Sequence, residues 1–206
     1  MKKHLIRNLF AIGVLICFAF ALPNFSKKEF NVVIDAAHGG KDYGAVYNDY
    51  MEKDIAAIIA KKIEALNKDN KDVKIHFTRT GDEFVNLNER VEKINKIKPD
   101  LVLSLHLNAA RNPENTISGM EIFIANESDQ KEQSAQYAKQ LTEKIGKDYN
   151  VVTKEAGFYM LKRAEAPALV FEMGFITSEK DRGYLTSEEG QDKLATLIAN
   201  FITDIK

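Results

Sequence analysis

The sequence predicts an α/β domain, with a mostly parallel or mixed sheet of about five to six strands flanked by helices on both faces. Three observations carry that reading. Short β-branched runs alternate with longer stretches whose apolar residues recur every three or four positions, the pattern of strands layered between amphipathic helices. At 206 residues and 45% hydrophobic, the chain can bury one sizeable core, about 100 to 200 residues per domain being usual. Three of the apolar runs stop at a residue able to do chemistry, and open α/β sheets gather their ligands at the carboxyl ends of strands.

The N-terminus stands apart from this alternation. Lys2, Lys3 and Arg7 precede an uncharged run from Asn8 to Leu22, with Leu9 to Phe18 as its apolar centre and Ala19-Phe20-Ala21 as a small-x-small cleavage pattern. Residues 1–21 therefore read as a secretory signal, 22–30 as a short linker and 31–206 as a single domain. The apolar run is short for a bilayer span, so no stable membrane span is expected in the mature form. Cys17, the one cysteine, lies inside the signal; the exported domain should hold neither disulfide nor thiolate ligand. Lys plus Arg number 29 against 30 Asp plus Glu, which leaves no polybasic surface for nucleic acid.

The first strand is Val32-Val33-Ile34, which stops at the Gly-containing loop Asp35-Ala36-Ala37-His38-Gly39-Gly40. Glu52 to Leu66 reads as a helix whose Ile55, Ile58, Ile59, Ile63 and Leu66 form one apolar stripe. From Val73 to Thr78, Val73, Ile75 and Phe77 alternate with polar residues, the mark of a half-buried strand. Asn86 with Glu89 three residues on is a helix-start signature, and Val91, Ile94 and Ile97 carry that helix to the Lys98-Pro99 stop. Leu101 to Leu105 and Gly119 to Ala125 follow as strands, Gln130 to about Asp148 as a helix, Phe158 to Leu161 as a short strand and Ala168 to Phe171 as the last buried strand. Thr186 with Glu189 reads as a capping box opening a final helix, with Leu194, Leu197, Ile198, Phe201 and Ile205 on its apolar face.

Chemistry concentrates at the strand ends. The first strand leads to His38, Leu101–Leu105 to His106, and Ala168–Phe171 to Glu172, while Glu52 opens the helix after the His38 loop. Two His and one carboxylate are the ligand set of a catalytic zinc with one position open to water, and a second carboxylate would serve as base. The sequence pattern alone leaves open which Glu ligates and which accepts the proton. A charge after four apolar strand residues, as at Glu172, must be partnered or functional. Asp35 is read as an acceptor that orients His38 from behind without touching the metal, and His76, alternating within a strand, as structural or surface.

The segments Val33-Ile34-Asp35-Ala36-Ala37-His38-Gly39-Gly40, Glu52-Lys53-Asp54-Ile55, Thr78-Arg79, Leu87-Asn88-Glu89-Arg90, Ser104-Leu105-His106-Leu107-Asn108-Ala109 and Phe171-Glu172-Met173-Gly174-Phe175-Ile176 resemble, in order and spacing, the zinc-dependent N-acetylmuramoyl-L-alanine amidases of the amidase_3 type. The similarity runs from about Asn31 to Lys206. It implies a catalytic domain with Zn²⁺ held by His38, Glu52 and His106, and Glu172 as the catalytic carboxylate. It implies peptidoglycan as substrate, cleaved between N-acetylmuramic acid and L-alanine, and a place outside the cytoplasm, in the periplasm or cell envelope. The alternatives are a zinc carboxypeptidase acting on the stem peptide and an inactive wall-binding module. Ala36-Ala37 and Ile124 depart from the family, which usually has Pro-Gly before the first His and an aromatic in the strand after Gly119; the first departure predicts a different path for the His38 loop. Some relatives insert a plugging helix after the second His. Here Ala109 to Ser118, with Asn112-Pro113, has the composition of a turn, so a monomer with an open site and no activator protein is expected.

Overall fold

The computed structural model describes residues 28–112 and 117–206; the expected signal segment and most of the linker lie outside them. In chain order the elements are β1 (Phe30–Ala36), β2 (Val46–Tyr47), β3 (Tyr50–Met51), α1 (Glu52–Asn67), β4 (Val73–Phe77), α2 (Leu87–Ile97), β5 (Leu101–Asn108), β6 (Met120–Ala125), α3 (Lys131–Ile145), β7 (Val151–Ala156), α4 (Tyr159–Arg163), β8 (Ala168–Phe175), α5 (Glu179–Thr186) and α6 (Glu188–Ile205). Six strands form one mixed sheet in the order β4-β1-β5-β8-β6-β7, and β2 pairs with β3 as a small hairpin. The neighbours β4, β1, β5 and β8 run parallel; β6 is antiparallel to β8 and parallel to β7.

The sheet is buried on both faces because successive strand side chains point opposite ways. Val32, Ile34, Leu101, Leu103 and Leu105 face a core shared with α1, α3 and α6. Val33, Val102 and Val170 face the other side, where α2 and α4 contribute Ile94, Met160 and Leu161. Near-continuous apolar runs follow from double coverage, which is why β1, β5 and β8 stand out in the sequence. No helix of the described residues is long and apolar enough to cross a membrane.

Three local expectations are corrected. Phe158 to Leu161 is not a strand: Tyr159–Arg163 is a single helical turn and a bit, docked through Met160 and Leu161. In α1, Ile58 and Leu66 are exposed, while Ala56 and Ala60 take the buried places beside Ile55, Ile59 and Ile63. The last helix is capped by Ser187, whose side chain accepts from the Gly190 N–H; Thr186 belongs to α5 and returns its hydroxyl to the Arg182 carbonyl. Four elements were not foreseen: the hairpin strands β2 and β3, α5, which buries only Leu185, and the edge strand β7. The Asn86–Glu89 capping box of α2 is present in full.

The segment after β5 is tied to the β8–α5 connection at both ends. Ala110 N–H donates to Thr177 Oγ1 at 3.0 Å and Ile176 N–H to the Asn108 carbonyl at 2.8 Å. At the other end, Asp181 Oδ2 accepts from Gly119 N–H and Phe175 N–H, both at 2.9 Å.

Candidate metal centre

The parallel strands β1, β5 and β8 bring their carboxyl ends to one rim. His38 follows β1, His106 lies on β5, and Glu172 on β8 pairs in register with His106. Glu52 enters from the first turn of α1, with its carboxylate turned toward the strand ends. His38, Glu52 and His106 form a group able to hold a metal ion, their ligand atoms lying within 4.8 Å of one another. Glu52 Oε1 is 3.1 Å from His38 Nε2 and 2.9 Å from His106 Nδ1. Two backbone donors fix it: Leu107 N–H reaches Oε1 at 3.0 Å and Ala45 N–H reaches Oε2 at 2.8 Å. Burial works to raise the Glu52 pKa, but the hydrogen bonds and charges of His106 and His38 outweigh it and hold the carboxyl well below the usual range.

The His38 loop takes a left-handed turn on a non-glycine residue, with His38 at φ 58°. Such a conformation costs of order 1–3 kcal/mol and persists only where its surroundings over-determine it. Here two guanidinium groups do so. Arg79 Nε and Nη2 donate to the Ala36 and Ala37 carbonyls at 2.9 and 3.0 Å. Arg90 Nη1 donates to Ala36 O at 2.9 Å, and its Nη2 to the His38 carbonyl. The ring of His38 is oriented from the far side by Asp42, with Nδ1 to Oδ2 at 2.9 Å. Burial lowers the His38 pKa, but Glu52 and Asp42 more than offset that and lift it to about 9. Gly44 (φ 66°) closes the loop against the cluster, where a Cβ would come within 2.5 Å of Glu52 Oε2 and His38 Cδ2.

Asp35 does not touch the His38 ring, contrary to the sequence expectation. It lies beneath the loop, where Arg90 Nη1 (2.6 Å), Ser104 Oγ (2.6 Å) and Thr78 Oγ1 (2.5 Å) donate to it. Burial raises its pKa, but the charge of Arg90 and these hydrogen bonds overcome that and leave it ionised. Its influence on His38 passes through Arg90. His76 sits away from the cluster and bonds Asn31 Oδ1 at 2.9 Å, as a structural residue.

Glu172 differs from Glu52 in its surroundings. It is half-buried, and its Oε2 is buried with no hydrogen-bond partner. Burial is the largest influence on its pKa; the Glu52 and Glu121 carboxylates raise it further, His106 and His38 pull it down, and the outcome is about 7. Glu121 was not singled out by the sequence. It lies opposite Glu172 in the β6–β8 register, accepts from Asn108 Nδ2 at 3.2 Å and pairs with Lys154 Nζ at 2.6 Å. Its place in an alternating strand after Gly119 was the one available signal. Asp42 was also missed, although an acid four residues after a loop His was visible. Beside the cluster, a cavity of about 630 Å³ opens between α2 and α4.

These features define a class: an α/β protein with a candidate metal centre at the strand ends. The chain belongs to the N-acetylmuramoyl-L-alanine amidase family, whose Amidase_3 model matches residues 32–204. It is 34% identical over 176 residues to YqiI, an uncharacterized protein of Bacillus subtilis (strain 168), a match covering 83% of this chain and 82% of that one. The N-acetylmuramoyl-L-alanine amidase from Clostridium difficile 630 has the same fold, with a TM-score of 0.80 and 29% identity over 86% of this chain and 96% of that one. The CwlD amidase from Clostridioides difficile, solved in complex with the GerS lipoprotein, matches with a TM-score of 0.77 and 26% identity over 85% of this chain and 98% of that one. By family the chain is an amidase of peptidoglycan.

Proposed function

We propose that this chain hydrolyses the amide between the lactyl group of N-acetylmuramic acid and the L-alanine of the stem peptide, with His38, Glu52 and His106 holding a zinc ion and Glu172 as the catalytic carboxylate. The observation that carries the reading is Glu172, a carboxyl in register with His106 whose buried oxygen has no partner inside the protein. The donor set fits zinc: two imidazole nitrogens and one carboxylate oxygen, all nitrogen and oxygen ligands, converging on one point and braced by Asp42, Leu107 N–H and Ala45 N–H. The chemistry supplied by zinc at such a position is Lewis acidity, which lowers the pKa of a water and polarises the scissile carbonyl.

The remaining work falls to the protein. Glu172, whose pKa its metal-free surroundings lift to about 7, is suited to accept a proton from water at neutral pH and to return it to the departing amine. Burial excludes competing partners from its free oxygen. Retention of all four groups argues against an inactive wall-binding module. The same reading takes residues 1–21 as a secretory signal and places the domain in the periplasm or cell envelope. It also takes the domain as a monomer that needs no activator; open access to the centre is supported by the cavity beside the cluster and by His38 and His106 side chains that remain 24% and 25% exposed.

Purified protein incubated with sacculi, with no other protein added, tests this by mass analysis. Stem peptides released with a free L-alanine amine are the expected product. Release of single D-amino acids instead would establish the carboxypeptidase, and no release until a partner is added would overturn the activator-free reading.

A further inference from the structure

The centre is asymmetric across the sheet. Reading along the strand order, the His38 loop follows β1, His106 lies on β5, Glu172 on β8 and Glu121 on β6. Metal-ligating groups thus lie on one side and the proton-transferring carboxyl on the other. Hydrolysis adds the hydroxyl of water to the carbonyl carbon, leaving a lactyl carboxyl, and a proton to the nitrogen, freeing the L-alanine amine. The nitrogen must therefore face Glu172, and whatever is attached to it must leave over β8 and β6.

The surfaces on the two sides differ in chemistry to match. On the His38 side is the 630 Å³ cavity, walled by Phe84, Leu87, Asn88 and Tyr159. Three of these are exposed apolar or aromatic side chains, at 45%, 55% and 40% for Phe84, Leu87 and Tyr159. The charges lining it are paired: Asp35 with Arg90, and Asp42 with His38. On the Glu172 side the sheet carries Glu121, Phe123, Val152 and Lys154 in adjacent register positions of β6 and β7. Phe158 packs on Phe123 with ring centroids 5.1 Å apart, and Lys154 gives one N–H to Glu121 at 2.6 Å while remaining 48% exposed, so its ammonium keeps further donors for a ligand. The start of α4 divides the two surfaces, because Tyr159 donates its hydroxyl to Asn88 across the cavity while Phe158 turns to β6.

Resting on the proposed amidase reading, we infer that the α2–α4 cavity holds the glycan, whose ring faces suit apolar and aromatic walls, and that the β6–β7 ledge with Lys154 holds the stem peptide, which bears carboxylates. Lys154 and Leu87 are then specificity-determining residues for opposite ends of the same substrate.

The test compares a muramoyl dipeptide with one extended by N-acetylglucosamine on the glycan and one extended by further residues on the stem. Wild type should gain kcat/KM from each extension. Leu87→Glu, tolerated in the first turn of α2 as an acid at a helix N-terminus, should cut the gain from the glycan extension about tenfold and keep the gain from the stem. Lys154→Ala should do the reverse, and the Kd of the released stem peptide should weaken about tenfold in this variant alone. A crossed pattern, equal losses on both extensions, or a wild type indifferent to both overturns the inference while leaving amide hydrolysis in place. A wild type that cleaves none of the three overturns the functional reading as well.

Discussion

Glu172 and Glu52 are both acidic side chains within one cluster, yet their environments drive them apart. Glu52 receives two backbone N–H groups and faces two imidazoles, whereas Glu172 has a bare buried oxygen beside other carboxylates. Glu172→Gln is expected to keep its metal but lose turnover by about 10²- to 10⁴-fold, read by elemental analysis beside a peptidoglycan assay. A zinc ion beside Glu172 lowers its pKa from the value of about 7 that the metal-free surroundings give it, so the wild-type rate should rise with pH through an apparent pKa below 7, because the carboxyl must be ionised to accept a proton. Stability runs the other way in the metal-free protein. A carboxyl raised from 4.5 to about 7 holds its proton more tightly when folded, so its contribution is full below pH 4.5 and lost as pH rises through 7, a change of roughly 3 kcal/mol. Denaturant titrations of wild type and Glu172→Gln at pH 5 and pH 8 should differ by that trend. A second prediction separates ligands from bystanders: alanine at His38, Glu52 or His106 should lower zinc content, and His76→Ala should not. Retention of zinc by all three ligand variants would remove the assigned shell.

At the level of elements, the His38 loop is held by strands and helices distant in sequence. Arg90 in α2 joins Asp35 at the end of β1 to the His38 carbonyl, with both side chains nearly inaccessible to solvent. Arg90→Ala leaves the Asp35 charge buried and unpaired, and should cost about 3–5 kcal/mol in unfolding free energy. The double variant with Asp35→Asn should recover part of that loss; additive losses would show that the pair is not coupled. The elements legible in the sequence were those whose pattern reports burial. β1, β5 and β8 are covered on both faces, and α2 carries both its capping box and its apolar spacing. β7 escaped because an edge strand with exposed Val152, Thr153, Lys154 and Glu155 has no alternation to read. The α5 turn escaped because it buries one side chain, and Phe158–Leu161 misled because four large apolar residues fit a strand or a docked turn equally well.

The whole molecule explains why His38, His106 and Glu172 could be nominated from sequence while Asp42 and Glu121 could not. Parallel strands deliver their ends to one rim regardless of loop detail, so topology alone assembles the first group. Asp42 depends on the path of a single loop, and Glu121 on an antiparallel neighbour whose pairing partner the sequence does not declare. The same sheet confers one further freedom. Since Ala110 is bonded to Thr177, and Gly119 to Asp181, the chain between them is closed off by its own anchors, and extra length inserted there would neither shift the metal strand nor loosen β6. Each doubling of such a loop costs only about 0.6 kcal/mol. Eight Gly/Ser residues added between Asn112 and Ile117 should leave the melting temperature within a few degrees and zinc content unchanged, as measured by calorimetry and elemental analysis. The anchored ends of that segment, rather than its length, thus set where the two strands it joins are held.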